Sequence, residues 1–270
     1  MYRTLFKIGP VGIHSYGLML AISFIIGVWY IYRRCRAERL QFEPMLNVAY
    51  ILIFCGMIGA RLGYVLMHLG DFIADPLSAV NPFQGGEYGI SGLNLYGGVI
   101  LAVLVTFYYL RKKKLPMLAV FDLYAPTLGL GLGIARIGCF LNGCCFGVPT
   151  TLPWGITFPP GSIPDMVFGR QPIHPSQLYS SAYGIGLFII LHQILKRKRF
   201  DGQALALMFM IEAVFRHLIE YTRYYESEMV FSFMGMHPTY NQVISILLFL
   251  TGLILYLRAP RRLYREPKAA

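Results

Sequence analysis

Long apolar runs broken by short basic clusters set the pattern of this chain. Runs of roughly 20 residues, the length that crosses a bilayer as a helix, can be drawn at 14–32, 46–67, 93–110, 117–135, 177–195, 203–223 and 239–257. The pattern predicts an all-α polytopic membrane protein of about seven transmembrane helices, forming a single integral membrane domain over residues 1–270. The fourth and sixth runs are the least apolar, and both carry polar groups that point to function.

The basic clusters order the runs. Arg33, Arg34, Arg36 and Arg39 follow the first. Arg111, Lys112, Lys113 and Lys114 follow the third, and Lys196, Arg197, Lys198 and Arg199 the fifth. Arg258, Arg261, Arg262, Arg265 and Lys268 follow the seventh. Loops rich in Lys and Arg stay in the cytoplasm, so the N-terminus is expected outside and the C-terminus in the cytoplasm. The connections near 68–92, 136–176 and 224–238 are then extracytoplasmic. The apolar stretch Leu152–Pro160 is expected to lie in the membrane interface, where Trp and other aromatics settle.

Composition agrees. Hydrophobic residues make up 56 % of the chain and charged residues 14 %, against about a quarter charged in a soluble domain. The net charge of +11 is accounted for by topology, so nucleic acid is not an expected partner. The N-terminus does not read as a signal peptide: Pro10, His14 and Tyr16 interrupt the first run, which then continues as a full span with no small-residue cleavage site. Five cysteines are too few for a disulfide scaffold; Cys35 falls in a basic loop and Cys55 within a span.

Candidate chemistry concentrates where the fourth run ends, in Arg136-Ile-Gly-Cys-Phe-Leu-Asn-Gly-Cys-Cys-Phe-Gly147. An arginine at a membrane boundary is costly unless it meets an anion or a carboxylate, and a lipid phosphate is the anion most available there. Asn142 and Gly143 could present donors to it. In the sixth run Glu212, Arg216, Glu220 and Arg223 recur at intervals of four, four and three, which places them on one helix face. They form either a self-neutralising ladder or a face with one arginine left for an anionic ligand. Arg61 is expected to pair with Asp122, the acid of the fourth span. Gly97 and Gly98 permit close backbone approach to a ligand, and Tyr16 and Tyr96 sit early in spans one and three. Gly129-Leu-Gly-Leu-Gly133 faintly resembles a dinucleotide fingerprint but follows no strand; helix packing through small residues is the reading. Cys139, Cys144 and Cys145 admit a disulfide, free packed thiols, metal binding or redox work. The spacing is poor for zinc, a disulfide or packed thiols is favoured, and no metal or cofactor is expected.

These residues resemble the prolipoprotein diacylglyceryl transferase family over nearly the whole chain. His14-Ser-Tyr-Gly-Leu-Met19 is similar to the family's first-span Tyr-Gly-Leu motif, and Gly59-Ala-Arg-Leu-Gly-Tyr64 to its second-span arginine motif. Tyr96-Gly-Gly98 resembles its His-Gly-Gly element, and Asp122 to Pro126 its Asp-x-x-Ala-Pro element. Ala135 to Gly147 resembles the signature Gly-Arg-x-Gly-Asn-Phe-x-Asn-Gly-Glu-x-x-Gly. His174-Pro-Ser-Gln-Leu-Tyr179 matches closely, and Phe215 to Arg223 resembles the Phe-Arg-x-x-x-Glu-x-x-Arg helix.

The resemblance implies an enzyme of the bacterial plasma (inner) membrane. It would transfer the diacylglyceryl group of phosphatidylglycerol to the lipobox cysteine of a prolipoprotein, forming a thioether and releasing glycerol phosphate. Its partners would be phosphatidylglycerol, prolipoprotein signal peptides and membrane lipids. By position, Arg136 holds the phosphate, Arg216 stabilises charge developing on the leaving group, Glu220 orients Arg216, and Tyr16 hydrogen-bonds lipid or precursor. Arg223, Asn142, Cys139, Gly97 and Gly98 would line the substrate, with Tyr96 beside the reacting groups. Three positions depart from the family pattern: Cys139 stands for Asn, Cys144 for Glu, and Tyr96 for His. A membrane thiol oxidoreductase and a non-catalytic lipid-binding paralogue are the alternatives; the intact arginines favour the transferase.

Overall fold

The structure, a computed structural model, describes residues 4–8, 11–38, 40–74, 92–225 and 239–260. A hairpin of β1 (Thr4–Ile8) and β2 (Val11–His14) opens the chain. Helices follow: α1 (Ser15–Glu38), α2 (Phe42–Met67), α3 (Leu69–Ala74), α4 (Leu95–Lys112), α5 (Met117–Asn142), α6 (Ile163–Phe168), α7 (Ser176–Arg197), α8 (Gln203–Ile219) and α9 (Tyr240–Arg258). Six of these, α1, α2, α4, α5, α7 and α9, are long and apolar enough to cross a membrane. The remaining predicted span, the sixth, corresponds to α8, with 17 residues, continued by a 3-10 turn over Glu220–Thr222. The chain is therefore an all-α multi-pass membrane protein. Its helices turn apolar side chains outward, Ile25, Leu66, Ile100 and Leu257 among them, as lipid-facing surfaces do. The loops expected near 68–92 and 224–238 lie largely outside the described residues, as do Arg39 and the basic residues 261, 262, 265 and 268.

The fold divides into two compact units, one of Met1–Leu5, Ile13–Tyr30 and Phe121–Ala270, the other of Phe6–Gly12 and Ile31–Val120. In the second unit α2 and α4 touch backbone to backbone. A Cβ built on Gly97 would stand 2.4 Å from the Gly59 carbonyl oxygen, and one on Gly98 would stand 2.7 Å from that of Gly56. Gly97 and Gly98 thus let α2 and α4 approach closely, the small-residue packing that membranes favour. Asn94 caps α4, its side chain accepting from the Gly97 amide at 3.1 Å. Arg61 donates to the Gly92 carbonyl at 3.2 Å and lies over the Phe72 ring at 5.4 Å.

In the first unit α5 and α7 cross by the same device. A Cβ on Gly184 would meet the Gly133 amide at 2.5 Å, and Ser181 donates to the Gly133 carbonyl at 2.8 Å. Gly129 and Gly133 are therefore packing residues, as expected. Ala125, Leu187, Leu191, Ala204 and Met208 form the core beside this crossing. The buried Asp122 carboxylate accepts from Lys198 at 3.3 Å and from the Gly202 and Leu205 amides at 2.8 and 2.9 Å. The expected Arg61–Asp122 pair is thus replaced by separate local partners for each. Lys198 in turn pairs with Asp201 at 2.8 Å.

α5 runs on beyond the predicted boundary at residue 135. Arg136, Cys139 and Asn142 occupy its last two turns, so the connection to α7 begins only at Gly143. Pro126 lies inside the same helix without ending it.

Candidate functional site

The end of α5 builds the site. Gly143 takes φ 82°, and its amide donates to the Phe140 carbonyl at 3.3 Å while the Cys144 amide donates to that of Cys139 at 3.2 Å. This six-to-one and five-to-two pairing is a Schellman ending, which reverses the chain over the last turn. Cys145 follows at φ 58°, a conformation that residues other than glycine rarely hold. The reversal brings the sulfurs of Cys139, Cys144 and Cys145 within 4.8 Å of one another. All three are free thiols in the structure, packed together at the helix end. Hydrogen bonds from the Cys139 and Cys144 thiols hold the Cys145 thiol well below the usual thiol range. Arg223 and Arg136 act in the same direction, and burial opposes them.

Arg136 projects from this helix end beside Cys139, Cys145 and Tyr225. Among the described residues it has no carboxylate within salt-bridge distance. Tyr16, in the first turn of α1, lies beside the same thiols and Arg136. α1 and α5 are in contact there, since a Cβ on Gly138 would meet the Tyr16 Cα at 3.0 Å. Asn142 lies against Cys144.

The arginines of the sixth run divide into two kinds. Arg216 pairs with Glu220 at 3.2 Å and donates to the Tyr225 hydroxyl at 3.5 Å. Glu220, fully buried at its side chain, also accepts from Tyr225 at 2.6 Å and from Thr239 at 2.7 Å. Its two oxygens are therefore occupied, and it holds Arg216 in one orientation. Burial pushes the Tyr225 hydroxyl up to about 12; Arg223 opposes the shift and the hydrogen bond to Glu220 adds to it. Tyr225 is accordingly a neutral donor at physiological pH. Arg223 does not continue the helical face: α8 ends at Ile219, and Arg223 is extended at φ −94° and ψ 145°. Its guanidinium stacks over Tyr225 at 4.9 Å, and its buried Nε has no hydrogen-bond partner among the described residues. Glu212 lies in the fields of both Arg216 and Arg136, with one buried oxygen unpartnered among the described residues.

The His174–Tyr179 motif ties the loop to the helix ends. Gln177, wholly buried, donates to the Cys144 carbonyl at 2.9 Å, and Ser176 donates to that of Thr222 at 2.9 Å. Gly147 sits where a Cβ would meet the His174 and Thr222 carbonyls at 2.4 and 2.5 Å. Phe146, Phe158 and Ile173 form a small core under the loop, with Tyr224 stacked on Phe146 at 5.5 Å. Trp154 is exposed and donates to the Tyr179 hydroxyl at 2.7 Å.

Tyr16, Arg136, Cys139, Asn142, Arg216, Glu220 and Arg223 thus fall in one unit and share a network. Tyr96, Gly97 and Gly98 belong to the other, with Tyr96 exposed in the first turn of α4. Sequence reasoning missed Tyr225, Thr239 and Asn241, which close the Glu220 network; Asn241 donates to the Tyr225 hydroxyl at 3.4 Å. Thr239 also caps α9, its side chain accepting from the Gln242 amide.

Comparison with known proteins gives one answer. A family model described as prolipoprotein diacylglyceryl transferase matches residues 3–258. A phosphatidylglycerol–prolipoprotein diacylglyceryl transferase of Bordetella avium (strain 197N) is 33 % identical over 267 residues, 97 % of this chain and 96 % of that protein. One of Vibrio cholerae is 33 % identical over 274 residues, covering 99 % and 95 %. One of Campylobacter hominis is 31 % identical over 270 residues, covering 97 % and 92 %.

Proposed function

Because this chain belongs to the prolipoprotein diacylglyceryl transferase family, we propose that it moves the diacylglyceryl group of phosphatidylglycerol onto the lipobox cysteine of a lipoprotein precursor. The observation that carries this reading is Arg136, a guanidinium at a membrane-helix end with no carboxylate in salt-bridge reach among the described residues. Such a charge is stable there only if an anion meets it. A glycerophospholipid phosphate supplies that anion, and Arg223, with its unpartnered Nε, gives it a second donor.

In the reaction the precursor sulfur bonds to the terminal glyceryl carbon of the lipid. The bond from that carbon to phosphate oxygen breaks, and glycerol phosphate departs with the electron pair. Negative charge grows on the departing phosphate, and Arg216, fixed beforehand by Glu220 and Tyr225, stabilises it without reorganising. The thiol gives up its proton as the carbon–sulfur bond forms, nearby guanidiniums favouring the thiolate, and the proton ends on the departing glycerol phosphate or in solvent. By resemblance alone, Tyr96 is assigned to donate a hydrogen bond; a phenol that ionises near ~10 is a poor base at neutral pH. Tyr16 and Asn142 are assigned to bind the substrates.

The basic helix ends are proposed to face the cytoplasm, with the N-terminus and the thiol-bearing helix end outside, in the bacterial inner membrane. A translocated signal peptide and an outer-leaflet lipid would meet there. The test is lipidation in detergent micelles with purified protein, phosphatidylglycerol and a lipobox peptide, read by mass. A diacylglyceryl mass gain on the peptide, with release of glycerol phosphate, is expected. Folded protein that yields neither product sinks the proposal.

A further inference from the structure

The three thiols at the end of α5 take no bond-making step in the transfer described above. We propose that Cys139, Cys144 and Cys145 form a binding site for a thiophilic closed-shell metal ion of the zinc, cadmium or copper(I) class, beside the proposed phosphate site. Their sulfurs already lie within 4.8 Å of one another. Sulfurs bonded to one zinc ion at ~2.3 Å stand roughly 3.8–4.0 Å apart, so closing the site needs movements of less than about an ångström. Three thiolates and no imidazole select soft metals, and the fourth position stays open to water or an exogenous ligand.

The sequence spacing argued against this because two of the three cysteines are adjacent and no second pair follows. What the spacing does not contain is the chain reversal. The Schellman ending returns Cys144 toward Cys139, and the left-handed Cys145, at φ 58°, turns its side chain to the same point. Glycine is the residue that takes this backbone conformation without strain, so a cysteine there is held against a local preference. Gln177, wholly buried, pins the turn through the Cys144 carbonyl at 2.9 Å, and its own Oε1 is buried without a partner. Two positive charges, Arg136 and Arg223, face Cys145 and offset the negative charge of three thiolates around one ion.

The test uses the full chain in detergent micelles, reduced and stripped with chelator, and titrated with cadmium(II) alone. Saturation at one ion per chain is expected, with an ultraviolet sulfur-to-metal charge-transfer band that zinc(II) diminishes by competition. Cys139→Ser should weaken binding at least tenfold, while Cys35→Ser and Cys55→Ser leave it unchanged. The decisive variant is Cys145→Gly, which suits the left-handed backbone and so keeps the fold. Cadmium should raise the unfolding temperature of the parent chain, because an ion that binds only the folded state stabilises it, and should not raise that of Cys145→Gly. A band of full intensity in Cys145→Gly, or one that follows Cys35 or Cys55, overturns the proposal, as does the absence of saturable binding by the parent protein.

Discussion

The two ends of α5 carry opposite charges and are treated in opposite ways. Near its start, Asp122 is fully buried, and its oxygens are taken by Lys198 and by two backbone amides. Near its end, roughly 20 Å along the axis at 1.5 Å per residue, Arg136 has no carboxylate in salt-bridge reach among the described residues. Burying a charge costs several kcal/mol, on the order of what good partners return. At Asp122 those partners are internal and permanent, so the charge serves the fold. At Arg136 the neighbours are Cys139, Cys145 and Tyr225, and the proposed phosphate role assigns the charge a ligand rather than a carboxylate. A polar group in a membrane protein is therefore read better from what satisfies it than from its presence.

The largest expected effect breaks the comparison at its functional end. Arg136→Ala should lower transfer to the lipobox peptide by about 10²–10³-fold, the scale of losing one preorganised donor to a developing anion, while the unfolding temperature in micelles stays within a few degrees. Unchanged turnover would refute the phosphate role. Next comes Glu220→Gln. The carboxylate positions Arg216 and closes bonds to Tyr225 and Thr239, and the amide keeps size while losing charge. A drop of about tenfold in kcat with KM nearly constant is expected, because the arginine acts on charge that develops only in the transition state. A rise in KM alone would place Arg216 in ground-state binding instead.

The helices were legible because each apolar run is long and the basic clusters punctuate them, which is why the predicted spans correspond to α1, α2, α4, α5, α7, α8 and α9. The hairpin β1–β2 was not, since its two short strands lead straight into an apolar helix with no change of composition. The intervals of four, four and three predicted one face from Glu212 to Arg223, yet α8 ends at Ile219 with no glycine or proline to mark the stop. The turn there is fixed by contacts distant in sequence, Thr222 with Ser176 and Tyr224 with Phe146. Complementary charge suggested Arg61 for Asp122, whereas the partner is Lys198, a residue whose membership in a basic cluster made it read as topology alone. The Arg136 site was legible in its residues and not in its geometry, because the chain reversal at Gly143 is a property of backbone angles.

The smallest expected effect on activity, and the sharpest on the comparison, comes from Asp122→Asn. The amide keeps an acceptor for only one of the Gly202 and Leu205 amides and removes the charge that Lys198 faces. Lys198 retains Asp201 at 2.8 Å, which limits the damage. The loss should therefore fall near that of one charged hydrogen bond, about 1.5–3 kcal/mol, seen as a lower unfolding temperature in micelles. Transfer per folded molecule should stay within about twofold of the parent, since small effects are expected of changes outside the reacting groups. If turnover instead falls together with that of Arg136→Ala while stability holds, the buried carboxylate belongs to the chemistry and the two ends of α5 do not differ in kind.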